Sequence, residues 1–95
     1  MKVELTDEAE SDLDTIAAYT YAMWGEEQAI LYVTQLREAC LVLLPQWLRF
    51  ARPVAGYPQL RRFRAESHVI YFSEDAAGLL VVRILHERML PELHL

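Results

Sequence analysis

Ninety-five residues, 54% apolar and 24% charged, have the composition of a globular chain rather than a disordered one, and they are enough for one core, so a single domain over 1–95 is expected. Apolar runs such as Leu41–Leu44 and Leu79–Val82 fall far short of the roughly 20 residues that a membrane span requires. The net charge of −5 argues against a general nucleic-acid binder, because phosphate affinity rests on basic surface.

Met1 to Leu5 alternates apolar and polar residues and predicts a short strand. Thr6 is a good helix N-cap, with Asp7 and Glu8 in the first turn where acids favour the helix dipole. Ala9, Leu13, Ile16, Ala17, Thr20 and Trp24 recur at steps of three and four, so a helix is expected from about residue 7 to 23. Glu10, Ser11, Asp12 and Asp14 on its other side read as a solvated face. The first 31 residues set Lys2 against eight acids, a net of −7, while the rest of the chain sets eight arginines against six acids.

Gly25 ends this helix and Glu26 and Glu27 open the next, with Ala29, Val33, Leu36, Cys40 and Leu43 as its apolar stripe and Pro45 as its stop. With almost no loop between them, the two helices should fold back as an antiparallel hairpin. Tyr19, Tyr21, Trp24 and Tyr32 gather around the hinge and read as hairpin packing. Cys40 is the one cysteine. It has no partner for an internal disulfide, which fits a reducing cytoplasm, and it reads as a buried thiol.

Gln46 to Gln59, with Pro53, Gly56 and Pro58, reads as the one long connection, and Trp47, Leu48 and Phe50 add a short helical turn to it. From Leu60 the pattern turns to strands. Leu60–Ala65 places Leu60, Arg62 and Arg64 on one face and Arg61, Phe63 and Ala65 on the other. Glu66-Ser67 is a tight turn into the β-branched and aromatic run HVIYFS. Glu74 to Gly78 is a five-residue hairpin loop, and LLVVRILH is a near-continuous apolar run expected to be the central strand. The resulting class is α+β: an N-terminal strand, an antiparallel helical hairpin and a three-stranded antiparallel meander, β-α-α-β-β-β, in two layers.

For chemistry, metal-free RNA cleavage needs an acid–base pair and cations around the phosphate. His86 or Glu87 would supply the first, and Arg61, Arg62, Arg83 and Arg88 the second. Adjacent strand residues point to opposite faces, however, so His86 and Glu87 cooperate only if the strand has ended. The spacing of the three histidines and one cysteine matches no zinc motif, and no glycine-rich loop cradles a nucleotide. No metal and no cofactor are expected. A protein-binding surface of arginine and aromatic residues accounts for more of the chain. Arg83, His86, Arg88 and Met89 are its target-binding candidates.

Several segments, in one order, resemble the ParE-type toxins of the RelE/ParE toxin–antitoxin superfamily. They are LTDEAESDLDTIAAYT, Trp24-Gly25, Ala51-Arg52-Pro53, LRRFR, HVIYF and VVRILHERMLPELHL. The resemblance implies the RelE/ParE-like two-layer sandwich, a single toxin domain over 1–95 and a cytoplasmic location. It also implies a ParD-like antitoxin that wraps and silences the toxin as a hetero-oligomer, and DNA gyrase as the protein target. The short apolar runs lead to the expectation of no membrane partner, and the acidic balance to that of no direct sequence-specific nucleic-acid contact. Arg49, Arg52, Arg61, Arg62 and Arg64 offer charge to an acidic antitoxin, and Trp24 and Tyr32 offer aromatic surface to it. One alternative within the superfamily is a ribosome-dependent mRNA endonuclease of the RelE type, with Arg61, Arg83 and His86 as its catalytic candidates. A non-toxic antitoxin-binding scaffold is another. The second helix carries only Arg37 and no lysine, and Glu87 follows His86 where some RNase members have tyrosine. Both favour the ParE branch.

Overall fold

Thr6 joins the first strand, the first helix and the last strand through one hydroxyl. Its Oγ1 accepts from the Ala9 N–H at 3.0 Å, which caps the helix, and donates to the Val82 carbonyl at 2.8 Å. The computed structural model describes residues 1–95 and is α+β. Strand β1 is Lys2–Leu5, helix α1 is Asp7–Trp24 and helix α2 is Glu26–Glu38. A widened π turn at Ala39–Leu43 continues α2 into a last helical turn at Leu44–Gln46. Then come β2 (Arg52–Val54), β3 (Tyr57–Ala65), β4 (His68–Asp75) and β5 (Gly78–His86). A short 3-10 turn, Pro91–Leu93, lies in the tail. No helix is long and apolar enough to cross a membrane.

The five strands lie in the order β1-β5-β4-β3-β2, with β1 parallel to β5 and the other pairs antiparallel. The helical hairpin covers one face. Ala9, Leu13 and Ile16 of α1 and Leu36, Cys40 and Leu44 of the second helical stretch meet Ile70, Phe72, Leu79, Val81 and Ile84 of the sheet. The opposite face carries a smaller cluster, Val54, Leu60, Val69, Tyr71 and Leu85, against which Leu95 of the tail packs.

The architecture matches the sequence expectation, and several details depart from it. β5 is not the central strand: β4 is, and His68 to Phe72 are buried in succession because β4 has neighbours on both edges and apolar clusters on both faces. Pro45 does not stop the second helix. The π turn shifts the ladder by one residue, with Leu44 N–H bonding the Ala39 carbonyl. Pro45 then falls at the start of a new turn, where no N–H is needed. The inserted residue also makes Leu44 the buried position and leaves Leu43 exposed.

The long connection is shorter than expected, since β2 occupies part of it and β3 begins at Tyr57. The β2–β3 register is irregular between Pro53 and Val54, and Pro58 falls in the unpaired part of β3, where a missing donor breaks no ladder bond. The Glu74–Gly78 loop is a two-residue turn, Ala76-Ala77, because the Asp75 carboxylate takes the N–H groups of Ala77 and Gly78. Tyr19, Tyr21 and Trp24 are exposed rather than packed in the hairpin, and only Tyr32 is half-buried.

Candidate partner-binding surface

Two features of β5 build the site. The first is its uncovered edge. β1 pairs with β5 only as far as Val81, so the Ile84 N–H further along has no strand to bond. Asp12 of α1 takes that place: its Oδ2 accepts from Ile84 N–H at 2.8 Å. The same carboxylate holds the Arg83 guanidinium in a two-pronged pair, Nε to Oδ2 at 2.8 Å and Nη2 to Oδ1 at 2.9 Å. Arg83 Nη1 donates at 2.6 Å to the His94 carbonyl and so ties down the tail. The hydrogen bond to Asp12 raises the Arg83 pKa, so the charge is fixed. Asp12 is therefore not part of a solvated face. It is the covered end of a clamp between α1, β5 and the tail.

The second feature is a one-residue bulge. From Asp75↔Gly78 to Phe72↔Val81 the β4–β5 ladder is regular, then Val82 is skipped and Tyr71 faces Arg83. A regular ladder would set His68 against Leu85. The inserted residue sets it against His86, and the two rings meet edge to face at 5.3 Å. His68 is buried, and Tyr32 of α2 reaches its Nδ1 at 2.7 Å through the hydroxyl. That hydroxyl accepts from the Ser67 N–H at 3.3 Å. His86 Nδ1 accepts from the Arg88 N–H at 3.1 Å. Burial, with the neighbouring His86 imidazole acting in the same direction, pushes the His68 pKa down to about 4, so its ring is neutral at pH 7. Burial likewise raises the Tyr32 pKa, which keeps its hydroxyl protonated.

These rings floor a groove of about 730 Å³. Its walls are the last three turns of α1, the start of α2 and the chain after β5, with Tyr19, Trp24, Arg88 and Met89 at its sides. Tyr19 and Trp24 lie edge to face at 6.2 Å. The lining includes no carboxylate, and Arg88 is its only arginine or lysine. Cys40 lies away from the groove in the main core, where burial pushes its thiol up to about 12. It is no nucleophile.

The remaining arginines lie apart from this groove. Arg61 bonds Glu74 at 2.6 Å with its guanidinium over the Phe72 ring, and Arg64 pairs with Glu87. Arg49 stacks on Trp47 and Phe50. Arg52 and Arg62 face each other across β2 and β3, exposed and without an acidic partner.

A family model for the ParE toxin of the type II toxin–antitoxin system parDE matches residues 3–91. The chain belongs to the ParE toxin family. Toxin ParE of Escherichia coli is 38% identical to it over 86 residues, covering 90% of this chain and 84% of the relative. Toxin ParE1 of Caulobacter vibrioides is 32% identical over 95 residues, covering 96% and 94%. Among solved structures, a chain of a chromosomal ParDE system from P. aeruginosa shares the fold with a TM-score of 0.77 at 23% identity, covering 90% of this chain and 95% of that one. A chain of the RelBE2 toxin–antitoxin complex of Mycobacterium tuberculosis gives 0.66 at 16% identity, covering 90% and 88%.

In this ParE-family chain, residues that the sequence assigned to two different roles meet. Trp24 and Tyr32, read as antitoxin-binding, line the same groove as His86, Arg88 and Met89, read as target-binding. Arg83 does not join them, being held by Asp12 and the tail. Asp12 and His68 were missed. Each depends on a contact between distant residues, and for His68 the deciding signal is a bulge that local patterning does not mark.

Proposed function

We propose that this chain is a toxin that inhibits DNA gyrase by binding it, and that a ParD-like antitoxin docked on its surface keeps it silent. Arg83 carries the reading over its RelE-type rival. A phosphate clamp needs a strand cation free to reach the substrate. Here the β5 cation is engaged by both oxygens of Asp12 and by the His94 carbonyl. The His86 Nδ1 is likewise occupied by a backbone N–H. A surface of exposed aromatic residues, methionine and arginine suits protein contact instead. The antitoxin follows from family membership, and the structural neighbours come from toxin–antitoxin systems.

In a supercoiling assay with purified gyrase, excess toxin is expected to abolish supercoiling and accumulate cleaved DNA, while messenger RNA in a translation extract stays intact. Untouched gyrase alongside cut messenger would reverse the reading.

Arg52 and Arg62, free of acidic partners at the β2 edge, are the arginines best placed to meet an acidic antitoxin segment. Reversing both (Arg52→Glu with Arg62→Glu) is expected to weaken antitoxin binding by roughly tenfold or more at low salt, with a smaller loss at high salt. Unchanged affinity in a calorimetric titration would remove this edge from the antitoxin's footprint.

A further inference from the structure

The hydrogen bonds at the floor of the groove bear on where the two imidazole protons sit. At His86 the Arg88 N–H can only donate, so Nδ1 is a bare acceptor and the proton of the neutral ring is on Nε2. At His68 the partner is the Tyr32 hydroxyl. Its oxygen already accepts from Ser67 N–H, and its proton has no acceptor in the protein other than His68 Nδ1. Running the chain from Ser67 N–H to Tyr32 O–H to His68 Nδ1 gives the Tyr32 proton an acceptor within the protein, and this arrangement puts the His68 proton on Nε2 as well. Neither Nε2 has a partner within the protein, yet no buried side-chain nitrogen or oxygen is left unbonded. Both Nε2 atoms therefore keep some solvent access, and both rings line the groove.

The result is two donors held in place from behind, beside the Arg88 guanidinium, in a lining without a carboxylate. The charged or titratable groups around His68 are Tyr32 from α2, His86 across the strand pair, Glu87 beyond it and Asp12 from α1. The two acids favour a charged ring, and burial outweighs them. His68 therefore stays a neutral donor at physiological pH and needs no protonation to act.

The geometry points to a carboxylate cradle. His68 Nε2–H, His86 Nε2–H and Arg88 receive one carboxylate of the antitoxin, on a segment whose apolar side chains lie along Tyr19, Trp24 and Met89. This rests on the antitoxin reading above and names the contact that anchors it. Two imidazole N–H donors with one guanidinium suit a carboxylate, whose oxygens accept several bonds at once. The aromatic walls suit a peptide that brings apolar groups with the acid.

Imidazole nitrogen NMR on the intact toxin at pH 7 is expected to show both histidines as Nε2–H tautomers. Acetate, used as the probe, should shift both Nε2 resonances, and the co-expressed antitoxin should occupy the site and abolish that response. His86→Phe and Arg88→Gln should each weaken antitoxin binding by about tenfold or more, with the fold checked by the unchanged methyl spectrum of the core. A proton on Nδ1 of either ring overturns the cradle. So does an antitoxin complex whose His68 and His86 still answer to acetate or to inorganic phosphate, which would mark a site for free anions. If toxin and antitoxin associate with unchanged affinity in both variants, the cradle falls and the antitoxin reading stands. If they do not associate at all, both fall.

Discussion

Asp12→Ala is expected to destabilise the fold by about 3 kcal/mol, a melting temperature lower by roughly 15 °C in a domain this size. The substitution removes three acceptor contacts at once. Two are the prongs to Arg83 and one is the bond to the Ile84 N–H. It leaves a mostly covered guanidinium with only the His94 carbonyl as partner and the Ile84 N–H with none, and the penalty for such orphaned groups exceeds the net value of the bonds themselves. Asp12→Asn keeps one oxygen for the backbone and should lose about half as much. The Glu10–Arg37 pair is the internal control. It has the same two-pronged geometry, yet its side chains are 46% and 44% exposed against 14% and 25% for Asp12 and Arg83. Glu10→Ala should therefore cost about 0.5 kcal/mol or less. Urea unfolding of the three variants decides it: equal losses for Asp12→Ala and Glu10→Ala would mean the clamp contributes no more than a surface pair.

Gly78→Ala is expected to cost about as much, through the backbone. Gly78 has φ +140°, a conformation L side chains rarely adopt, and an added Cβ would sit 2.2 Å from the Lys2 carbonyl oxygen. That oxygen belongs to the backbone of the neighbouring strand, so β1 must move away or unpair, and a loss of about 3 kcal/mol follows. Gly56 also has a positive φ, +83°, but open space around it, so Gly56→Ala should cost only about 1 kcal/mol. Amide exchange locates the damage. Protection of β1 amides and of the Thr6 N–H bonded to Val81 should collapse in Gly78→Ala and survive in Gly56→Ala. Similar protection in the two variants would show that β1 does not pack as closely as Gly78 allows.

Local patterning made the element order legible. Thr6 followed by acids marked the start of α1, Gly25 marked the hinge, alternation marked β3, β-branched and aromatic residues marked β4, and a near-continuous apolar run marked β5. Departures arose where a distant partner decided the outcome. Asp12 looked like one acid among several on a polar face, and only residue 83, 71 positions away, gives it a role. The length and apolarity of β5 suggested a central strand, although centrality depends on which edge β1 chose. β2 is three residues long and contains a proline, too little pattern to separate from a loop. The groove depends on the Val82 bulge, which aligns His68 with His86 and leaves no mark in residue type.

The parallel pairing of β1 with β5 also orders events in time. The helical hairpin and the β3–β4–β5 meander join neighbours in the chain and can form early. Lys2 must wait for Gly78, and the Thr6 hydroxyl for Val82, 76 positions on. Contacts between such distant residues are slow to form, because loop closure precedes any gain from pairing. During synthesis β1 therefore stays unpaired until β5 has left the ribosome. The sheet closes only once Gly78–Val81 are available, so β1 keeps an open hydrogen-bonding edge until then.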